Sequence, residues 1–535
     1  FYNTVVGDEA GTALTTGDNN VAVGFEALKT EDENGFNTAV GVGALKTLNA
    51  GTNSYNTALG YETGKSLTTG IQNVLLGATS GDALTDADFN VAIGVEALGT
   101  DTKGNRSVAI GYAALFDQNF TSSTDVHNVA IGNLAGTNMT TGNLNTLVGS
   151  TSGDALTVGI TNVAYGYGSL TSDTAGNRST AIGYNTLQNQ NFSSSTDSYN
   201  TAVGFQAGIN VTTGIQNTLI GGLAGDALTD ADRNTVLGYQ ALTTDTQGSR
   251  STAVGFNALA TQNFTSATDS YNVAVGYGSG EVITTGTFNT LVGGLTGDSL
   301  TTGSYNVYVG THAGGSDDLG SASVGIGYGA LSSLNYAGVT SGFNVAVGYN
   351  CLNDQTTAVQ NSAMGNEAGG AITEGSYNIT IGNAAANHDT PLTTGSGNNI
   401  IGAYADPSAA AAVGQNVLGY NVTSTGNNNF TFGYGTTDSN IAHGATSVTA
   451  PSDERYKEEI TTSTAGLSFI NDLRPVTFKW KKEKDIPTDH KSYVKDSDTR
   501  VMGRGEKIQH GFIAQEVKTV IDNHSEIKDG FDMWS

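Results

Sequence analysis

The chain has 535 residues, 49 acidic against 22 basic, with a formal net charge of −27, 73 glycines and only 13% charged residues. A body this acidic repels nucleic acid and anionic membrane surfaces, and no run of about 18 apolar residues is present to cross a bilayer, so neither nucleic acid nor membrane insertion is expected. The one cysteine, Cys351, excludes an intrachain disulfide, and the fold must be held in another way.

The first 450 residues are one short repeat. NVAVGFEAL at Asn20, NTAVGVGAL at Asn37, NVAIGVEAL at Asn90, NTAVGFQAG at Asn200 and NVAVGYNCL at Asn344 share a pattern: Asn, Thr or Val, a small residue, an aliphatic residue, Gly. The chain opens on FYNTVVG, inside a copy and without Met, and is read as a fragment. The closing Gly usually recurs every 17 residues, with a step of 21 at every fourth repeat from Gly111 to Gly348, so Gly111, Gly183, Gly255 and Gly327 are equivalent at a spacing of 72. The added residues fall in matching loops, QNFTSSTD, QNFSSSTD and QNFTSATD, with LNYAGVTS as a diverged fourth copy. An insertion confined to one loop is how solenoids decorate one face.

Each unit reads as a five-residue apolar strand, a shorter segment ending in Ala-Leu, and a turn of the LTTG or LTDAD kind, where Gly, Asn and Asp tolerate left-handed backbone. Pro is absent until Pro391, as required where each coil donates its N–H groups to the next. This predicts a mainly β fold, a parallel β-solenoid of about 25 flattened coils with two short strands each, roughly 120 Å long at ~4.8 Å per coil. Ala22 and Gly24 fall on one side of the strand, and Val21, Val23 and Phe25 on the other. Neither side is polar, so one faces the coil interior and the other requires a cover, most economically another copy of the chain. The recurring Asn is either a ladder along the axis or a turn former entering the strand. Cys351 stands where sister repeats have Ala or Thr and reads as a small core filler.

SVAIG at Ser107 and NVAIG at Asn90 and Asn128 resemble the left-handed β-roll of trimeric autotransporter adhesin heads. That resemblance implies a homotrimeric rod.

Enzymatic chemistry in the repeats is weakly signalled. GDALTDAD at Gly81 and at Gly225 supplies paired carboxylates of the kind glycoside hydrolases use, but they recur as turn residues with no long insertion to form a cleft. The seven His are scattered without HExxH or a Cys/His zinc spacing. No cofactor and no metal are expected.

At PSDERYKEEI, Pro451–Ile460, the chemistry changes. Before it 33 acids stand against eight bases with no Trp; after it 16 acids stand against 14 bases, with both Trp. A helix is expected over about Thr464–Leu473, then a strand in PVTFKW. HGFIAQEVKTVID reads as a strand running into an amphipathic helix, with Ile513, Val517 and Val520 or Ile521 on one face. The expected organisation is a shaft over 1–402, irregular last coils and a linker over 403–451, and a small α/β domain over 452–535.

SDERYK, LRPVTFKW and HGFIAQEV occur in that order, and together they resemble the C-terminal intramolecular chaperone of phage tail fibres and tailspikes, the self-cleaving endosialidase type. The resemblance implies that this domain aligns three chains, helps them fold, and is then severed between Ser452 and Asp453, with Ser452 as nucleophile and Lys457 as its base. A Ser hydroxyl needs such a base, and a Lys serves only when desolvation or a cation lowers its pKa; Arg455 is the neighbouring cation. His510, Gln515 and Glu516 match the third block, either supporting the dyad or packing the core. The family usually continues into a Leu-rich helix, whereas this chain ends at DGFDMWS, so the domain is expected to be C-terminally incomplete.

The function read from these features is a structural, host-binding fibre, a phage tail fibre or spike shaft on a virion tail or extracellular surface. It is at most a single-turnover self-cleaving peptidase, and a host receptor or glycan is its expected partner. A cell-encoded trimeric adhesin or extracellular fibre is the alternative, and a polysaccharide depolymerase is the third reading.

Overall fold

The computed structural model describes residues 2–444, 466–501, 506–525 and 527. The chain divides into two compact units, Phe1–Ala450 and Pro451–Ser535.

In the first unit one long sheet of 26 strands runs along a parallel β-solenoid of about 25 turns. Its typical strand has three residues: Val21–Val23 pairs in parallel with Thr38–Val40, which pairs with Thr57–Leu59. The register advances one repeat per coil, by 17 residues at Val91↔Val108 and by 21 at Val108↔Val129. Among the described residues the only antiparallel pair of this sheet joins Asn429–Tyr434 to Thr437–Ala442 and covers the stack's last parallel edge.

From the second coil on, the central residue of each typical strand, such as Ala22 or Leu75, points into the coil and is buried. Beside it runs a column of buried Leu, Ile, Val and Met, including Leu84, Met139 and Leu156. Cys351 sits in this core, its thiol pushed up to about 12 by burial. The closing Gly is obligatory: at Gly24, φ is +132°, and a Cβ there would lie 2.4 Å from the Gly41 carbonyl oxygen of the next coil.

The recurring Asn is a ladder. Asn20 Oδ1 accepts the Asn37 N–H at 3.0 Å while its Nδ2 donates to the Asn34 carbonyl at 2.9 Å, and the same double bond recurs at Asn145 and Asn162. These amides are fully buried, so each satisfies main-chain groups that would otherwise be orphaned.

The second strand expected in each coil is not one. The segment after the closing Gly carries positive φ at alternate residues, +55° at Glu26 and +49° at Leu28. It still bonds along the stack, Glu26 N–H to the Asp8 carbonyl at 3.0 Å and Leu28 N–H to Ala44 at 2.9 Å. Left-handed backbone at a non-Gly residue costs about 1–2 kcal/mol; the axial hydrogen bonds and the burial of Ala27 and Leu28 offset it.

Every fourth coil differs. Short ladders, Gly104–Asn105 with Thr124–Asp125 and its equivalents, tie down the inserted loops, whose Phe120, Phe192 and Phe264 are buried.

In the second unit a helix spans Leu467–Asp472, strand Val476–Phe478 pairs antiparallel with Gln509–Gly511, and a second helix spans Ala514–Asn523. Ile521 is buried and Val517 and Val520 are half-buried, whereas Ile513 is exposed. Ile513 lies outside the expected apolar face because it is the N-cap residue, in extended backbone ahead of the first turn.

Candidate functional site

Ser452, Asp453, Arg455 and Lys457 lie outside the described residues. Of the supporting candidates, His510 is exposed on its strand opposite Thr477, and Gln515 is exposed in the first turn of the following helix, its carbonyl accepting from the Thr519 hydroxyl at 3.0 Å. Glu516 is committed elsewhere. Arg474 clasps it through two hydrogen bonds, one from Nε to Oε2 at 2.9 Å and one from Nη2 to Oε1. The guanidinium holds the Glu516 carboxyl below its usual range. Arg474 opens the RPV block and Glu516 closes the AQE run, so the pair joins the second sequence block to the third. Only the co-occurrence of the two blocks in the sequence could have signalled it.

The second candidate is the outer side of the long sheet. Val21 and Val23 flank inward Ala22 and remain half-exposed, as do Val108, Val254 and Val292 in later coils, while Leu76 and Ile131 are exposed. Thr, Val, Ile and Leu dominate these two columns, which suits a pleated sheet surface. Two further columns border them. One follows the closing Gly, where Tyr167, Tyr184 and Phe205 stack at 5.4 and 5.5 Å. The other precedes the ladder Asn, where Tyr271, Phe288 and Tyr305 stack at 5.3 and 5.0 Å. These rings are 43 to 61% exposed. Between Asn19 and Tyr420 not one of the four columns carries Asp or Glu, although the chain is acidic throughout this region. The acids stand in the turns: Asp88 Oδ1 accepts the Ile71 N–H and Asp232 Oδ1 the Ile215 N–H, each at 2.8 Å. The last acid of each GDALTDAD run thus caps a turn between coils, while Asp82 and Asp86 pair with Lys65 and Lys103 and Asp226 accepts from the Thr243 hydroxyl.

The face is about four residues wide, ~13 Å, and runs roughly 110 Å, an area on the order of 1,400 Å² that its apolar residues share with Thr, Asn, Gln, His127 and four Arg. The largest apolar patch on an ordinary monomer is about 300–600 Å².

Inside the stack, polar groups interrupt the core at every fourth coil. Ser107 takes the ladder Asn position and Asp101 the Leu position; Gln118 donates to Asp101 Oδ2 at 2.5 Å and to Ser107 Oγ at 3.1 Å, and accepts from Asn128 Nδ2 at 2.9 Å. The same box recurs at Asp173 with Gln190 and at Asp245 with Gln262. Burial raises these three carboxyls, against the lowering effect of Gln and main-chain donors.

His388, Asp389 and Asp406 bring three potential cation ligands together. The buried Asp406 carboxylate is already satisfied, accepting the N–H groups of His388, Asp389 and Thr390 at 3.1, 2.7 and 3.4 Å. It is a turn device.

Fold and faces define the class: a repeat shaft of parallel coils with an uncovered apolar side, followed by a small α/β unit. Residues 452–526 match the family described as chaperone of endosialidase, as the three sequence blocks imply. No curated protein and no solved structure matches the chain. Among the described residues no helix is long and apolar enough to cross a membrane.

Proposed function

We propose that the protein is the shaft of a phage tail fibre or spike, a homotrimer on a virion tail that is assembled by its C-terminal unit and binds the host surface. The observation that carries this reading is an acid-free, largely apolar face running from Asn19 to Tyr420 in an otherwise acidic chain. Three such faces turned inward bury apolar surface and leave the repelling turns in water. A protomer alone leaves that area wet, at an unfavourable ~25 cal/mol per Å².

A chaperone is required because a repeat surface offers many misaligned pairings, and non-local pairing is slow. Once the stacked rod is complete, its unfolding requires many coils to separate, so it persists kinetically and the chaperone is dispensable. In the proposed release, Ser452 is the nucleophile, Lys457 takes its proton, and the Ser452–Asp453 bond is cut. Host recognition falls to the inserted loops, whose tips at 121–123, 193–195 and 265–267 are exposed hydroxyl and small residues.

Sedimentation of the purified chain together with electrophoresis of wild type and Ser452→Ala tests this reading. The expected result is a trimer whose shaft is shortened at the C-terminus in the wild type only. An ordered protomer refutes the assembly, and a Ser452→Ala chain cut at the same bond refutes the nucleophile.

A further inference from the structure

The outer face is apolar but not uniform, and its main polar departure has a 72-residue period. Arg106, Arg178 and Arg250 stand at its entry edge, one in every fourth coil, and Arg233 shares their column outside that period, facing Asp232 of its own turn at 3.9 Å instead of an inserted-loop acid. Arg106 lies over the Phe89 ring with 4.8 Å to the centroid, and Arg178 and Arg250 lie over Tyr199 and Tyr271 at 5.4 Å. Each is ion-paired with the acid of the adjoining loop strand: Arg106 with Asp125 at 3.0 Å, Arg178 with Asp197, Arg250 with Asp269. The fourth copy has lost both partners and carries Ala322 and Ser341.

The two strand columns distinguish one coil from the next only weakly. Thr201 and Val203 pair with Thr218 and Ile220, and those with Thr235 and Leu237, so sliding one chain along another by a single coil exchanges β-branched and aliphatic groups for near-equivalents. Resting on the reading that copies of the chain join through this face, we propose that the three Arg–Asp pairs are register marks, read by a second and a third copy. In register, like-numbered pairs meet at one level and form a shared polar layer, each guanidinium within reach of carboxylates on its own and the neighbouring chain. One coil out of register, each pair meets a level without an inserted-loop acid: Arg106 faces Phe89 or His127, Arg178 faces Thr161 or Tyr199, and Arg250 faces Arg233 or Tyr271, so each guanidinium loses water without a matching pair, as a misaligned polar residue does in a coiled coil. Four coils out, Arg106 meets Arg178 and Arg178 meets Arg250, but Arg250 meets Ala322. The missing fourth pair therefore penalises that slip too.

The test uses the full chain with Cys351→Ala and one reporter thiol per copy. Ile182→Cys lies on the outward side of its strand, and a co-expressed copy carries Ile220→Cys, two coils or about 10 Å further along. After oxidation the parental assembly is expected to give mainly like-numbered disulfides, with mixed 182–220 links at about one-tenth of that level or less, since a disulfide needs Cα atoms within about 7 Å. In Arg106→Ala/Arg178→Ala/Arg250→Ala, like-numbered links are expected to fall at least threefold and mixed links to rise to a similar level while sedimentation still reports the trimer. Exchanging Arg and Asp within all three pairs keeps the polar layers and is expected to restore the parental pattern. A triple-Ala trimer, or where that variant fails to assemble an exchanged variant, that contradicts these patterns overturns the register marks. A parental chain that sediments as a protomer overturns the underlying self-association instead.

Discussion

The Tyr308 hydroxyl donates a 2.9 Å hydrogen bond to Asp317 Oδ2 in the centre of the stack, where both residues are fully buried. In the three preceding blocks of 72 residues the partner of this Asp is a Gln, at 118, 190 and 262. In the fourth block Leu334 replaces that Gln, Tyr308 supplies the donor, and the Tyr336 hydroxyl accepts from Asn344 at 2.9 Å. Gly325 makes room: a Cβ there would meet Tyr308 Cδ1 at 3.2 Å, and the equivalent strands carry Ala109, Ala181 and Ala253.

Burial pushes Asp317 up from 3.8 to about 6, against the lowering donors Tyr308 and Gly320. The folded pKa lies above the unfolded one, so its contribution to stability is complete below pH ~4 and is lost as pH rises through ~6; two units amount to about 3 kcal/mol. Asp317→Asn removes the charge and keeps polar partners. It is expected to slow hydrogen exchange in the neighbouring coils at pH 7 and to flatten their dependence on pH between 4 and 7. Equal exchange in both proteins at pH 7 would contradict the shift.

The closing Gly admits no side chain. At Gly111, φ is +140° and a Cβ would stand 2.1 Å from the Gly132 carbonyl oxygen, a main-chain atom that the stack holds in place. Gly111→Ala is expected to cost more than about 3 kcal/mol, and limited proteolysis should find a new cut between the coils on either side.

Asn145→Ala orphans two buried groups at once, the Asn162 N–H and the Gly159 carbonyl, each now 2.9 Å from its amide partner. At roughly 1–3 kcal/mol per group the expected loss is about 2–6 kcal/mol, localised as rapid exchange at the Asn162 amide. Protection unchanged at that amide would return the Asn to a simple turn role.

How far these features are legible in the sequence depends on whether the stabilising partner is local. The 17-residue period, the inward Ala and the required Gly follow from side chains whose size and placement repeat in every copy. The left-handed backbone at Glu26 and Leu28 does not, because neither residue favours it and only bonds to neighbouring coils make it stable. Asp101 reads as a turn residue in GTDTKGN; its partner Gln118 lies 17 positions away in an inserted loop, and what betrays the pair is the joint change to Tyr308 and Leu334 in the fourth block. Arg474 and Glu516 are legible only as members of two motifs.

If the outer face is the seam between copies, a charge placed on it should spare the protomer and break the assembly. Ile182 is 37% exposed in the protomer, so Ile182→Glu has little to disturb within the coil. Three copies would bury three like charges at one level, and association should weaken at least tenfold, about 1.4 kcal/mol or more. Sedimentation across a dilution series, with circular dichroism as the check on folding, reads both quantities; a variant that assembles like wild type places the seam elsewhere.

The Arg474–Glu516 pair separates a positioning role from a direct one. Both side chains are largely exposed, where ion pairs contribute little to stability, so loss of fold is not expected from either Arg474→Ala or Glu516→Gln. If Glu516 acts on cleavage only by fixing its helix through Arg474, the two variants should slow release of the C-terminal fragment equally, and the double variant should be no slower than either one. Acid should mimic them: Arg474 lowers the Glu516 pKa, so the clasp is intact above the ordinary carboxylate pKa and is lost as pH falls through the depressed value. A Glu516→Gln chain much slower than Arg474→Ala would instead give the carboxylate its own contact with the reacting groups.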